Sequence, residues 1–136
     1  MDGEGGSDEA GDASTWVAVD VPVQMFRVGR LLVAAVPAEV TTMAGRRLRE
    51  VVLVAAEAAE AAESAAAGPS DLEEGWEVII TGVANGYAGY VTTGEEYDAQ
   101  RYEGASTLYG PHTLAAGLSL VHFSAQRESF LSMKFT

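Results

Sequence analysis

The chain contains no cysteine. That absence excludes disulfides, cysteine zinc sites and a thiol nucleophile together, and leaves the redox compartment undetermined. Any metal would have to be held by histidine, carboxylate or a less usual ligand such as tyrosine. Base is scarce as well: eight Lys and Arg stand against 20 Asp and Glu, for a formal net charge of −12. Phosphate binding runs on Lys and Arg, so this balance argues against nucleic acid as a partner. It also argues against simple electrostatic docking on an anionic membrane. No apolar run reaches the roughly 18–20 residues of a membrane span, so no transmembrane segment is expected. There is no serine–histidine nucleophile elbow, no glycine-rich phosphate loop and no internal repeat.

What is present suits one domain at most: 136 residues, 48% of them hydrophobic. The acidity is concentrated at the start, where Asp2, Glu4, Asp8, Glu9 and Asp12 lie among Gly, Ser and Ala without a base. Residues 1–15 therefore read as a solvated, disordered acidic tail. They lack the basic start and apolar run of a signal peptide, so the sequence indicates no location.

From Trp16 to Val36 β-branched residues dominate, and two strands joined at Gly29-Arg30 are expected. The second, Leu31 to Val36, is continuously apolar, as a strand buried on both faces would be. Pro37 ends it. Thr41 and Thr42 supply N-cap chemistry for a helix over residues 43–67. Its alanines favour helix, but residues 55–67 offer little bulk to pack. They read as the solvated part of a low-complexity Ala/Glu insertion at 55–75, broken at Gly68-Pro69-Ser70. A strand over 76–83, a short helix over 95–102, a loop and a last helix from Thr113 follow. The order β-β-α-β-loop-α indicates an α/β (α+β) fold, a mixed sheet with flanking helices.

All five tyrosines, Tyr87, Tyr90, Tyr97, Tyr102 and Tyr109, fall between Asn85 and His112, interleaved with glycines. Tyrosines on glycine-hinged loops suit a pocket needing an apolar wall with a hydroxyl at its tip; they equally suit a hydrophobic patch with satisfied hydroxyls. Glu39, between a buried-type strand and a helix start, is either a ligand at a strand end or a partner of the helix dipole. Arg46, Arg47 and Arg49 read as a salt-bridging face rather than an anion site. His112 and His122 read as structural, since neither has a carboxylate spaced with it as a metal motif requires.

Two blocks sharpen this reading. VPAEVTTMAGRRLRE, residues 36–50, resembles a neutral ceramidase segment that usually reads V-P-G-E-F-T-T-M-A/S-G-R-R-L-R. YVTTGEEYDAQRYEGASTLYGPHTLAA, residues 90–116, resembles a second segment of the same family, in the same order. VPVQMFRVGRLLVAAV, just before the first block, fits as well. The resemblance implies that residues 16–117 are part of a neutral/alkaline non-lysosomal ceramidase catalytic domain, its C-terminal portion, with residues 118–136 a divergent tail. It implies an amidase that hydrolyses ceramide to sphingosine and a fatty acid, using Zn2+. In that family two histidines, a glutamate and a tyrosine hold the zinc, and the last two match Glu39 and Tyr90. A further tyrosine that contacts the substrate amide or its oxyanion matches Tyr102. The two chains of the substrate imply a deep, aromatic and apolar cleft.

The departures set further expectations. The family's nucleophilic serine and its two zinc histidines belong to sequence that this chain does not contain, and His112 matches a non-ligand position. Ala38 stands for a usual glycine, and Gly89 for a frequent histidine. The remainder of the catalytic domain and the family's C-terminal β-sandwich domain are missing. Two oxygen ligands do not complete a catalytic zinc site, so the chain is expected to be an enzyme fragment inactive alone. The alternative is a non-catalytic lipid-binding or regulatory remnant of a ceramidase.

Overall fold

The alternation of Val21, Val23 and Met25 with Gln24, Phe26 and Val28 gives β1, Asp20–Val28, one apolar edge for the core and a second that faces away. Gly29, at φ +60, and Arg30 make the two-residue turn that sends the chain back as β2, Leu31–Ala35. This computed structural model describes residues 20–67, 75–127 and 131–134. The expected acidic tail, the Trp16 end of the first strand and the Gly68-Pro69-Ser70 break lie outside them.

A two-residue strand β3, Glu39–Val40, leads into α1, Thr42–Ala67. Of the two candidate caps it is Thr41 that acts: its Oγ1 accepts the Ala44 amide at 3.3 Å. Ala44, Leu48, Val52 and Ala56 recur every fourth residue and form the buried stripe of the helix, with Ala55 beside them. The helix crosses over to β4, Glu77–Thr81, which pairs parallel to β2. Then come β5, Tyr90–Val91, the short helices α2, Gly94–Asp98, and α3, Tyr102–Ala105, the long α4, Thr113–Arg127, and β6, Leu131–Lys134.

The main sheet has the order β4-β2-β1-β6, with β1 antiparallel to both β2 and β6 and β2 parallel to β4. The expected mixed sheet with flanking helices is what forms. α1 and α4 pack together, and Leu114 joins the core with Val36, Val52, Val78 and Val91. A second, two-stranded parallel sheet pairs β3 with β5. Among the described residues no helix is long and apolar enough to cross a membrane.

Two expectations change. The alanine stretch is not solvated from its start: Ala55 and Ala56 are buried, and Glu60 grips the sheet. The Arg30 guanidinium pairs with both Glu60 oxygens, and Trp76 Nε1 donates to Glu60 Oε2 at 2.9 Å. Arg27 and Arg30 lie over the Trp76 ring at 4.9 and 5.2 Å. Alanine's small size is what lets the helix approach this closely. The single helix expected over 95–102 is two, because Gln100 takes φ +48 and cannot continue a right-handed turn.

Candidate functional site

β3 is held by Val36, Pro37 and Ala38 on one side and by the bend at residues 82–89 on the other. Ala38 O accepts the Val83 amide at 2.9 Å, and Pro37 O the Ala88 amide at 2.7 Å. Val83 and Asn85 sit at φ 51 and 60 in this bend, turning the chain so that β5 can run alongside β3. The Glu39 amide then donates to Gly89 O at 2.9 Å and the Thr41 amide to Val91 O at 3.1 Å. In this register Glu39 is the direct partner of Tyr90.

Their side chains meet. The Glu39 carboxylate accepts hydrogen bonds from Tyr90 and Tyr87, which together hold its pKa below the usual glutamate value. The Tyr87 hydroxyl reaches Glu39 Oε1 at 2.8 Å. The neighbouring carboxylate, above all as hydrogen-bond acceptor, pushes the Tyr90 phenol up to about 12. Tyr102 packs edge-on to Tyr90, ring centroids 5.7 Å apart at 83°, and is 73% exposed, its face open for a ligand.

Gly89 is needed where it stands. Its φ is +75, and a Cβ there would lie 2.9 Å from Leu108 Cγ and 3.0 Å from Ser106 O. That same Ser106 oxygen accepts the Tyr90 amide at 3.2 Å, tying β5 to the end of α3. Buried Thr92 and Thr107 repeat the tie, Oγ1 to Oγ1 at 3.1 Å. α2 is anchored by a capping box: Glu96 N donates to Thr93 Oγ1 at 3.2 Å and Thr93 N to Glu96 Oε2 at 2.9 Å. Thr41 Oγ1 also donates to Glu96, at 2.7 Å, so the start of α1 and the start of α2 are locked together.

All three residues expected at the site, Glu39, Tyr90 and Tyr102, are brought together. Tyr87 joins them unanticipated. Its signal was present, a tyrosine three residues before Tyr90, but nothing local says that the bend turns its hydroxyl onto Glu39. Tyr97 lies within α2, and Tyr109 packs against the core, where burial raises its pKa. Tyr90 is in a strand, not on a glycine-hinged loop as the composition suggested. His112 is exposed just before α4, and His122 lies within that helix. Among the described residues no three His, Asp or Glu side chains cluster as metal ligands.

Of Arg46, Arg47 and Arg49, it is Arg47 that forms a salt bridge among the described residues, bidentate to Glu95 at 2.9 and 3.1 Å. Arg49 donates instead to Val78 O at 3.2 Å. A cleft of about 620 Å³ lies beside Tyr90. Glu95, Glu96, Arg101 and Glu103 line it with Thr41 and Val40. A separate apolar cavity of about 50 Å³ lies among Val21, Val36, Leu48, Val91, Tyr109 and Leu114.

The fold recurs in solved ceramidases. The crystal structure of neutral ceramidase from Pseudomonas aeruginosa superposes with a TM-score of 0.60 at 48% identity, over 76% of this chain and 14% of that one. A ceramidase complexed with C2 gives a TM-score of 0.61 at 43% identity, over 83% of this chain and 18% of that one. Residues 7–119 match the family described as "Neutral/alkaline non-lysosomal ceramidase, N-terminal". The chain belongs to that family. Relatives include the neutral ceramidase of Oryza sativa, 48% identical over 101 residues, and neutral ceramidase 1 of Arabidopsis thaliana, 50% identical over 100. In both cases 74% of this chain is covered but 12% of the relative, so the chain spans about an eighth of their length.

Proposed function

We propose that the chain supplies the glutamate–tyrosine half of an amidase centre that hydrolyses ceramide to sphingosine and a fatty acid. The observation that supports this is the register pairing of Glu39 with Tyr90, which sets a carboxylate and a phenol side by side. The donor set fits zinc in part. Carboxylate and phenol oxygens are both competent ligands, while a catalytic zinc takes three protein ligands and an open position. Glu39 and Tyr90 would hold the ion, with the nitrogen donors coming from the rest of a ceramidase domain. When bound, zinc would act as a Lewis acid on the amide carbonyl.

The remaining work falls to this chain's side chains. Tyr87, bonded to one Glu39 oxygen, orients the carboxylate. Tyr102, edge-on to Tyr90 and exposed, presents its phenol to the amide oxygen as negative charge develops there. A second reading, a lipid-binding piece without chemistry, draws on the exposure of Tyr87, Tyr102 and Leu108 around the site.

The test is ceramide hydrolysis by the purified chain and by the chain joined to the remainder of a neutral ceramidase domain. The chain alone is expected to be inactive and the assembled protein active. Glu39→Ala and Tyr90→Phe should each lower the assembled activity by about 100-fold or more. Hydrolysis by the chain alone, abolished by Glu39→Ala, would overturn the half-site reading. Ceramide binding without hydrolysis in the assembled protein would favour the second.

A further inference from the structure

Glu39 and Tyr90 stand on strands of two residues each, and a ladder that short does little to fix its own register. A slip of one residue would set Val91 opposite Glu39 and turn the Tyr90 side chain to the other face. Where the strands begin, the bend holds them: Gly89 O accepts the Glu39 amide and Pro37 O the Ala88 amide. Where they end, one side chain spans both. Glu96 Oε2 accepts the Thr41 hydroxyl at 2.7 Å and the Thr93 amide at 2.9 Å. Thr41 lies one residue past β3, and Thr93 two past β5. A single carboxylate oxygen therefore fixes how far each strand runs before its helix starts.

Both ends of this bridge are themselves fixed. Glu96 N donates to Thr93 Oγ1 at 3.2 Å, closing the cap of α2. On the other side, Thr41 Oγ1 accepts the Ala44 amide at 3.3 Å and Thr41 O the Gly45 amide at 2.8 Å. The Thr41 amide is also the last rung of the ladder, donating to Val91 O at 3.1 Å. Capping α2 needs only the bond to Thr93. The bond to Thr41, 55 positions away, adds nothing to that helix; it acts between the strands. Both bonds end on a carboxylate, so each is stronger than a neutral pair.

We propose that Glu96 is a positioning residue for the site: by joining Thr41 to Thr93 it pins the register that sets Glu39 against Tyr90. Its consequence for amide hydrolysis rests on the proposed function, whereas the register itself does not, and the two are read separately.

The register is read by NMR on the full 136-residue chain without metal. Glu96→Ala should abolish the cross-strand NOEs between Glu39-Val40 and Tyr90-Val91 and speed exchange of the Thr41 amide more than tenfold, with β2 amides unchanged. Glu96→Gln keeps an oxygen able to accept both bonds and should preserve NOEs and exchange. Thr41→Val, which spares the α2 cap, should reproduce the loss. Glu95→Ala, which removes the neighbouring pair with Arg47, should leave the ladder intact. In the chain joined to the remainder of a neutral ceramidase domain, Glu96→Ala should lower Zn2+ affinity by about 10–100-fold and kcat more than KM, with Glu96→Gln restoring both. An intact ladder in Glu96→Ala and Thr41→Val overturns the proposal. So does a Glu96→Gln as damaging as alanine, or acceleration of β2 amides equal to that of Thr41, which would make Glu96 a general prop. A lost register in an assembled protein that never hydrolyses ceramide would sink the proposed function and leave this inference standing.

Discussion

Glu39 and Tyr90 lie 51 positions apart and face each other across a parallel ladder only two residues long. Everything that makes the candidate site is arranged around that pair. Tyr87 reaches Glu39 from the bend before β5, and Tyr102 packs on Tyr90 from α3. The strands are short, so their pairing draws its strength from flanking bonds: Pro37 O, Ala38 O and Ser106 O each accept an amide of the bend or of β5.

Tyr87→Phe removes one of two hydrogen bonds to the Glu39 carboxylate and should raise the Glu39 pKa. The rise should be smaller than that produced by Tyr90→Phe, because Tyr90 is the larger contributor. Carboxyl NMR titration of the metal-free chain measures both. No shift on Tyr87→Phe would remove Tyr87 from the site, and a shift as large as that of Tyr90→Phe would overturn the order of the two.

Gly89→Ala should destabilise the chain by about 1–3 kcal/mol, since alanine pays for the positive φ and meets Leu108 and Ser106 O. Leu108 is exposed and can move, but the Ser106 carbonyl cannot move without weakening its bond to the Tyr90 amide. Urea denaturation gives the magnitude. Hydrogen exchange at the Tyr90 amide should accelerate more than exchange in β2.

Glu95 titrates at about 2 in the folded chain, held down first by its hydrogen bonds to Arg47. The folded value lies below the ordinary 4.5. Its contribution to stability is therefore fully present above the ordinary value and fades as pH falls toward 2. The pair is exposed, so the effect is small and weakens with salt. Arg47→Gln should flatten the acid limb of a stability–pH curve, and an unchanged limb would refute the assignment.

Glu60→Ala should lower the melting temperature and redden the Trp76 emission, because it strips the indole N–H and the Arg30 guanidinium of their shared acceptor. Circular dichroism should show helix loss confined to the C-terminal part of α1. The stripe Ala44, Leu48, Val52 and Ala56 holds the rest. Loss of the whole helix would mean that Glu60, not the stripe, organises it.

Local pattern made much of the architecture legible. Gly29-Arg30 announced the hairpin, the β-branched run of 31–36 the buried strand, and Thr41 the start of α1, because these signals act through neighbours in the chain. The two-residue strands β3 and β5 carry no such signal. Glu39-Val40 and Tyr90-Val91 become strands only by meeting each other. The split of the 95–102 segment was equally hidden, since a positive φ at Gln100 is set by how α3 must sit on α2, where Gly104 approaches Glu96 O too closely for a Cβ.

By itself the sequence determined the family, the mixed α+β class, and the choice of Glu39, Tyr90 and Tyr102, through two long blocks of specific residues. Tertiary structure alone decided that these three meet, and that Tyr87 joins them while Tyr97 and Tyr109 do not. The physical reason is separation along the chain. Composition and periodicity report what each residue can do within a turn or a strand. Hydrogen bonds between residues about 50 positions apart depend on a register that exists only once the sheets have formed.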